Sequence, residues 1–241
     1  MSTNERAPAG GAFLQVLQAG HVRLGLLTAI ALAATAHLIH RPLSQVGWIF
    51  ATVLLGQLLI GWHNDLTDER DDARHERTGK PLVTGPLTAR ELWILLSIGG
   101  IGLIPLATAV GTKAGLFYIG SVLVAMTGNV VLRTGPFSVV SWVCSYALLS
   151  FYLSFSGAGR HAAGRPPQWE MVGCFALTGI GIHIAVALWG LVADAADGWT
   201  YLPLQLGRKF GATQTMAMVI FYLAGIGVAV AYVAHTHGFS R

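Results

Sequence analysis

Six of the eleven acidic residues in this 241-residue chain fall between Asp65 and Glu76. They begin in the run Asn64-Asp65-Leu66-Thr67-Asp68-Glu69-Arg70-Asp71-Asp72, which follows directly on an apolar stretch, residues 46–62. If the helix of that stretch continues, Asn64, Asp68 and Asp72 recur at i, i+4 and i+8. Asp65 then lies about one turn from Asp68 and two from Asp72, so four oxygen-bearing side chains share roughly one face. Carboxylates this crowded repel one another and raise one another's pKa values. A hard divalent cation relieves the repulsion. Mg²⁺ suits the spacing because it takes a few carboxylate oxygens, keeps several waters and shares phosphate oxygens. The plainer reading is a solvated helix end laced with salt bridges.

The chain continues Arg77-Thr78-Gly79-Lys80-Pro81-Leu82-Val83-Thr84-Gly85. Carboxylates alone would bind a bare cation. With Arg and Lys in the same loop, the preferred ligand becomes a cation carrying a polyanion, such as Mg-diphosphate. Arg forks to phosphate oxygens, and Lys acts as a point charge.

The rest of the chain must hold this stretch at a boundary between oil and water. Hydrophobic residues make up 54% and charged residues 11%, against about 25% charged in a soluble domain. Seven apolar segments, residues 24–39, 46–62, 92–110, 114–132, 137–155, 171–193 and 212–234, suit helices crossing about 30 Å of hydrocarbon, with tilt or snorkelling for the shorter ones. They are too long and too continuously apolar for strands. The expected fold is therefore all-α, a polytopic transmembrane bundle of about seven helices. Residues 1–20 read as a cytoplasmic N-terminal tail without a cleaved signal peptide, and residues 21–241 as one transmembrane domain.

With the N-terminus inside, ten of the fifteen Lys and Arg residues face the cytoplasm. Only Arg41, Lys113, Arg160, Arg165 and Arg241 lie outside. This fits a multi-pass cell-membrane protein with its charged loops on the cytoplasmic side. The net charge of +4 is explained by the same rule, and no basic run points to nucleic acid. Thr88-Ala89-Arg90-Glu91 has the pattern of a capping box. Cys144 and Cys174 sit inside apolar segments and read as small core residues.

Taken together, Asn64-Asp65-x-x-Asp68-x-x-x-Asp72 and Arg77-Thr78-Gly79-Lys80-Pro81-Leu82-x-x-Gly85 resemble the first signature of the UbiA superfamily of intramembrane prenyltransferases. The resemblance runs from Arg23 to about Phe221. It implies a helical bundle with a central cavity open to lipid, in which Mg²⁺ and a prenyl diphosphate bind beneath two polar loops. By that resemblance Asn64, Asp65 and Asp68 hold metal, Asp72 holds a metal or orients a basic residue, and Arg77 and Lys80 bind diphosphate. Arg133, in Asn129-x-x-x-Arg133-Thr134-Gly135-Pro136, matches the family's basic stretch at that turn and is a further diphosphate contact. The facing loop, Gly190 to Gly207, aligns Asp194 with the second Asp of the family's Asp-x-x-x-Asp motif. Gly190 then stands where the first belongs, and Asp197 is an extra carboxylate one turn away. Asp65, Asp68 and Asp194 are the expected catalytic carboxylates, and Asp194 and Asp197 complete the metal set. Relatives usually have nine transmembrane helices, whereas one follows the second motif here. That leaves room for a homo-oligomer in which a partner subunit closes the cavity.

The expected activity is Mg²⁺-dependent ionisation of an isoprenyl diphosphate and transfer of the prenyl group to an acceptor, with an aromatic or quinone-precursor ring as the candidate. A terpene cyclase of the same superfamily, which needs no acceptor, is the alternative. A carrier with an ion site fits less well, because its charges would lie near the midplane of the membrane. His183, in mid-segment, reads first as a hydrogen-bonded buried residue and second as an acid or base. His63 is explained equally well by interfacial polarity. Trp142, Tyr146, Phe151 and Tyr152 read as packing aromatics, some of which could face a carbocation.

Overall fold

The computed structural model describes residues 9–77, 79–85, 87–157 and 164–240. Residues 1–8 of the expected tail, Thr78 of the basic stretch, and Arg6, Arg160 and Arg241 of the charge count lie outside the described residues.

Eleven helices are formed by the described residues: α1 (Ala9–Ala19), α2 (Val22–Leu38), α3 (Leu43–Arg74), α4 (Pro81–Thr84), α5 (Ala89–Thr108), α6 (Thr112–Val131), α7 (Ser138–Phe155), α8 (Trp169–Ala187), α9 (Leu191–Ala196), α10 (Leu202–Phe210) and α11 (Ala212–Thr236). Helices satisfy their own backbone groups, which is why apolar runs of this length take that form in hydrocarbon. Six helices are long and apolar enough to cross a membrane, and a seventh span results if α1 and α2 count as one bent pair. The bend between them is 64° and falls at Gly20-His21.

Helix α3 is the element on which the site depends. Its 32 residues extend about 48 Å at roughly 1.5 Å per residue, well beyond about 30 Å of hydrocarbon. It therefore carries Asn64 to Asp72 out of the apolar layer without a break. Thr88 opens α5 with the reciprocal capping box anticipated from the sequence.

The expected segment 171–193 is not one helix. Helix α8 ends at Ala187, and α9 starts at Leu191. Gly190 is a weak helix former at the junction, and the chain turns there to bring Asp194 towards Arg77, which follows α3.

The long helices form an arc in which α2 packs on α3, α3 on α5 and α6, α6 on α7, α7 on α8, and α8 on α11. Outward-facing Ile98, Ile101, Phe221 and Val228 are exposed, as a bilayer-facing surface requires. Two close approaches fix the inner geometry. A Cβ on Gly56 would collide with Tyr118, whose buried hydroxyl donates to the Val53 carbonyl at 3.1 Å. A Cβ on Gly61 would lie 2.5 Å from the Gly20 backbone. The bare Gly61 thus lets the α1–α2 turn rest on α3 one turn before Asp65. The Trp62 indole N–H, donated to the Val16 carbonyl at 2.9 Å, anchors the same contact.

Candidate active site

Periodicity along α3 separates its polar residues into two neighbouring rows. Asp65 and Asp72, seven residues apart, are buried at 2% and 3% exposure. The Lys80 ammonium lies between them, 2.7 Å from Asp65 Oδ1 and 3.1 Å from Asp72 Oδ2. In the other row, the Asn64 side-chain amide donates to Asp68. Asp68 and Asp71 together receive the Arg133 guanidinium, which is 2.5 Å from Asp68 Oδ1.

The opposite wall comes from the break after α8. Asp194, 8% exposed, accepts a hydrogen bond from the Tyr201 hydroxyl and lies 3.4 Å from Arg77 Nη2. Arg77 Nη1 is 3.3 Å from Asp72 Oδ1, so one guanidinium bridges the two acidic loops. Arg133 stacks 5.0 Å over the Trp199 ring, and the Thr200 N–H donates to the Thr134 carbonyl at 3.0 Å. The α6–α7 turn is thereby tied to the loop that follows α9.

Asn64, Asp68, Arg77, Lys80, Arg133 and Asp194 share a cavity of about 320 Å³. Asp72 and Asp197 instead line a narrow crevice behind it. Asp197 is held 3.0 Å from His75 and 3.5 Å from Arg74 and does not reach the main cavity. Asp65 lies beneath the cavity, held by Lys80. Asn129 lines the wall and donates to the Ile60 carbonyl at 3.3 Å. His183 is buried there with Nε2 3.0 Å from Ser138 Oγ, the hydrogen-bonded arrangement read first from the sequence.

Burial and charge set the proton affinities in the loops. Burial alone would lower the Lys80 pKa, but Asp65 and then Asp72 outweigh it and raise the value. Burial raises Asp194, although the Tyr201 hydroxyl and Arg77 act in the other direction. Burial also raises Tyr201, and the neighbouring Asp194 adds to the effect.

Sequence reasoning passed over His21 and Tyr201. His21 adopts a left-handed conformation, φ 50°, and its Nε2 lies 3.1 Å from Asp65 Oδ1. Strained non-glycine backbone is often found at functional sites. The only trace in the sequence is a histidine just ahead of the first apolar segment. Tyr201 carries no local signal beyond its nearness to Asp194.

The donor set fits Mg²⁺. Six carboxylates (Asp65, Asp68, Asp71, Asp72, Asp194 and Asp197) face four permanent cations (Arg74, Arg77, Lys80 and Arg133). The excess is two negative charges, the charge of one divalent ion. Asp65 Oδ2 is buried without a hydrogen-bond partner, which is costly unless a cation or polar group meets it. Among the described residues, no three His, Cys, Asp or Glu side chains converge on one point. A site for Mg²⁺ needs no such cage, since one or two carboxylates, waters and phosphate oxygens complete it.

A family model described as the UbiA prenyltransferase family matches residues 25–240. The fold resembles a UbiA homolog from Archaeoglobus fulgidus bound to GPP and Mg²⁺, with a TM-score of 0.67, 18% identity, and coverage of 91% of this chain and 77% of that one. The same homolog bound to DMAPP and Mg²⁺ gives a TM-score of 0.66, with the same identity and coverage. The apo structure of a UbiA homolog from Aeropyrum pernix K1 gives 0.68 at 20% identity, covering 91% of this chain and 82% of that one. At these identities the likeness is one of fold. The comparison with curated proteins returned no match.

Proposed function

The chain belongs to the UbiA prenyltransferase family, and on that premise we propose that it is a Mg²⁺-dependent membrane enzyme that ionises an isoprenyl diphosphate and transfers the prenyl group to a lipophilic acceptor, an aromatic or quinone-precursor ring being the candidate. One observation carries this reading. A chamber with carboxylates on two walls and Arg77, Lys80 and Arg133 between them adjoins a second, largely apolar cavity, and the two share His21, Asn64, Asn129, Trp142 and Val186.

The polar chamber would take the diphosphate and the apolar cavity its tail. Asn64, Asp65, Asp68, Asp72 and Asp194 would hold Mg²⁺, with Asp197 at the outer edge of the set. Bound there, Mg²⁺ would neutralise charge building on the leaving diphosphate. Arg77, Lys80 and Arg133 now each bridge two carboxylates. With those carboxylates engaged by a bound cation, the three side chains would be free to donate to phosphate oxygens. The charge developing as the C–O bond breaks is then met by donors already in place. Trp142 and Tyr146 present π faces to an allylic carbocation, and the apolar walls limit its capture by water. A nucleophilic carbon of the acceptor closes the new bond and then loses its proton.

Those aromatic faces also favour a second reading. A cyclase needs the same walls but no acceptor, because the substrate's own double bonds capture the cation.

Purified protein in lipid nanodiscs, given Mg²⁺ and geranyl, farnesyl or geranylgeranyl diphosphate, tests both. Diphosphate release that needs Mg²⁺, with a coupled product only when an aromatic acceptor is added, is the expected result. A terpene formed without acceptor would turn the assignment to the cyclase. No release with any tail would overturn both.

A further inference from the structure

Three cavities lie in sequence through the protein. The polar chamber opens into the central apolar cavity of about 70 Å³. A lateral cleft of about 380 Å³, walled by α2, α8 and α11, lies beyond. The polar chamber and the lateral cleft have no lining residue in common. The central cavity and the cleft share two, Leu24 and Tyr146.

Tyr146 is built as a partition. It projects from α7, is 8% exposed, and lines the cleft together with Leu24 and Thr28 of α2. Its ring stacks on Trp142 with centroids 6.4 Å apart, and Trp142 stacks on His183 at 5.4 Å. The base of the ring is fixed by Gly179 on α8. A Cβ there would lie 3.2 Å from the Tyr146 Cβ and would collide with the Trp142 carbonyl. The aromatic bar is therefore backed by α8 at its base and faces α2 across the cleft.

We propose that Tyr146 sets the length of the isoprenoid tail this enzyme accepts, by closing the central cavity against the lateral cleft. The inference rests on the proposed use of a prenyl diphosphate. A tail entering from the polar chamber meets Tyr146 after filling a small space, and a longer tail has nowhere to go. Without the ring, the path continues between Leu24, Leu27, Thr28 and Ile182 into a cleft several times larger. The walls there are almost wholly apolar, so extra isoprene units would gain burial rather than meet a polar barrier. Leu27 is 67% exposed, which puts one side of the cleft at the lipid-facing surface.

The experiment compares wild type, Tyr146→Ala, Tyr146→Leu and Tyr146→Phe. Each is given geranyl, farnesyl and geranylgeranyl diphosphate for turnover, and the matching thiolodiphosphate analogues for binding. Removing the ring should raise the geranylgeranyl-to-geranyl ratio in both assays by about tenfold or more, a usual scale for steric selection in an apolar pocket. Tyr146→Phe keeps the ring and should keep the wild-type ratio. Gly227 lines the cleft from α11, and a Cβ there meets nothing within 4 Å. Gly227→Phe should leave the wild-type ratio unchanged and cancel the gain in Tyr146→Ala.

An unchanged ratio in Tyr146→Ala and Tyr146→Leu overturns the proposal. So does loss of all turnover and binding in both variants while wild type works, since the ring would then be needed for any tail. If wild type binds the analogues but releases no diphosphate, the proposed function fails, and the binding ratios alone decide the role of Tyr146. If wild type binds none of them, both readings fall.

Discussion

Helix α3 delivers Asp65, Asp68 and Asp72 on an unbroken run of 32 residues, whereas the opposite wall reaches the site through a break between α8 and α9. On the first side, register is set by the helix repeat, and two carboxylates are nearly inaccessible. On the second, Asp194 hangs on a six-residue helix and is located by two partners, Arg77 and Tyr201. The position facing it is Gly190, where a Cβ would point at the Asp194 carboxylate and Arg77, with 2.8 Å to Asp194 Oδ2. The difference teaches that the two loops are not equivalent halves. The α3 wall carries more of the carboxylates, and the other is tied to it through Arg77.

Four measurements can break or sharpen that contrast. Asp65→Ala or Asp68→Ala should lower Mg²⁺-dependent diphosphate release by about a hundredfold or more, the scale for losing a preorganised electrostatic group. Near-wild-type rates in both would remove the first wall from the chemistry. Asp194→Ala should cost less, about tenfold, in the same assay. A loss as deep as that of Asp65→Ala would make the two walls equal after all.

Gly190→Asp supplies the carboxylate that the second wall lacks. Its half-saturating Mg²⁺ concentration should fall by roughly threefold, as read from a metal titration of activity. A rise would mean that the crowding against Asp194 and Arg77 outweighs the added charge.

The smallest effect concerns stability. Burial raises the Asp194 pKa in the fold, so the folded protein holds that proton more tightly than the unfolded chain does. The contribution of Asp194 to stability is full below the ordinary carboxylate pKa of about 4 and is lost as pH rises through its raised value. Asp194→Asn removes that loss. Without Mg²⁺ at neutral pH, its thermal midpoint should exceed that of wild type by about 2 °C. The gain should vanish below the ordinary carboxylate pKa. A neutral-pH decrease would show that the ion pair with Arg77 outweighs burial.

Much of the first wall was legible because it is local. The spacing of Asn64, Asp68 and Asp72 is a property of one helix, and the Arg77–Gly85 stretch follows within a few residues. The apolar runs revealed the helices because hydrocarbon demands length and continuity. The second wall was less legible. Residues 171–193 are apolar apart from Thr178 and His183, and nothing in their hydropathy marks the turn after Ala187. Asp197 was read with Asp194 because they are three residues apart, yet His75 and Arg74 hold it in the crevice behind.

The sequence by itself determined an all-helical membrane protein with a cluster of carboxylates and basic residues at the end of one long helix. Hydrophobic length and the 3.6-residue repeat act within a single segment, so both can be read along the chain. Only the tertiary structure decided that His21 meets Asp65, that Arg77 joins Asp72 to Asp194, and that Tyr146 stands between two cavities. Each of these depends on two helices approaching at a particular place, here across Gly61, Gly190 and Gly179. A missing side chain permits such an approach, but only packing says which partner fills the space.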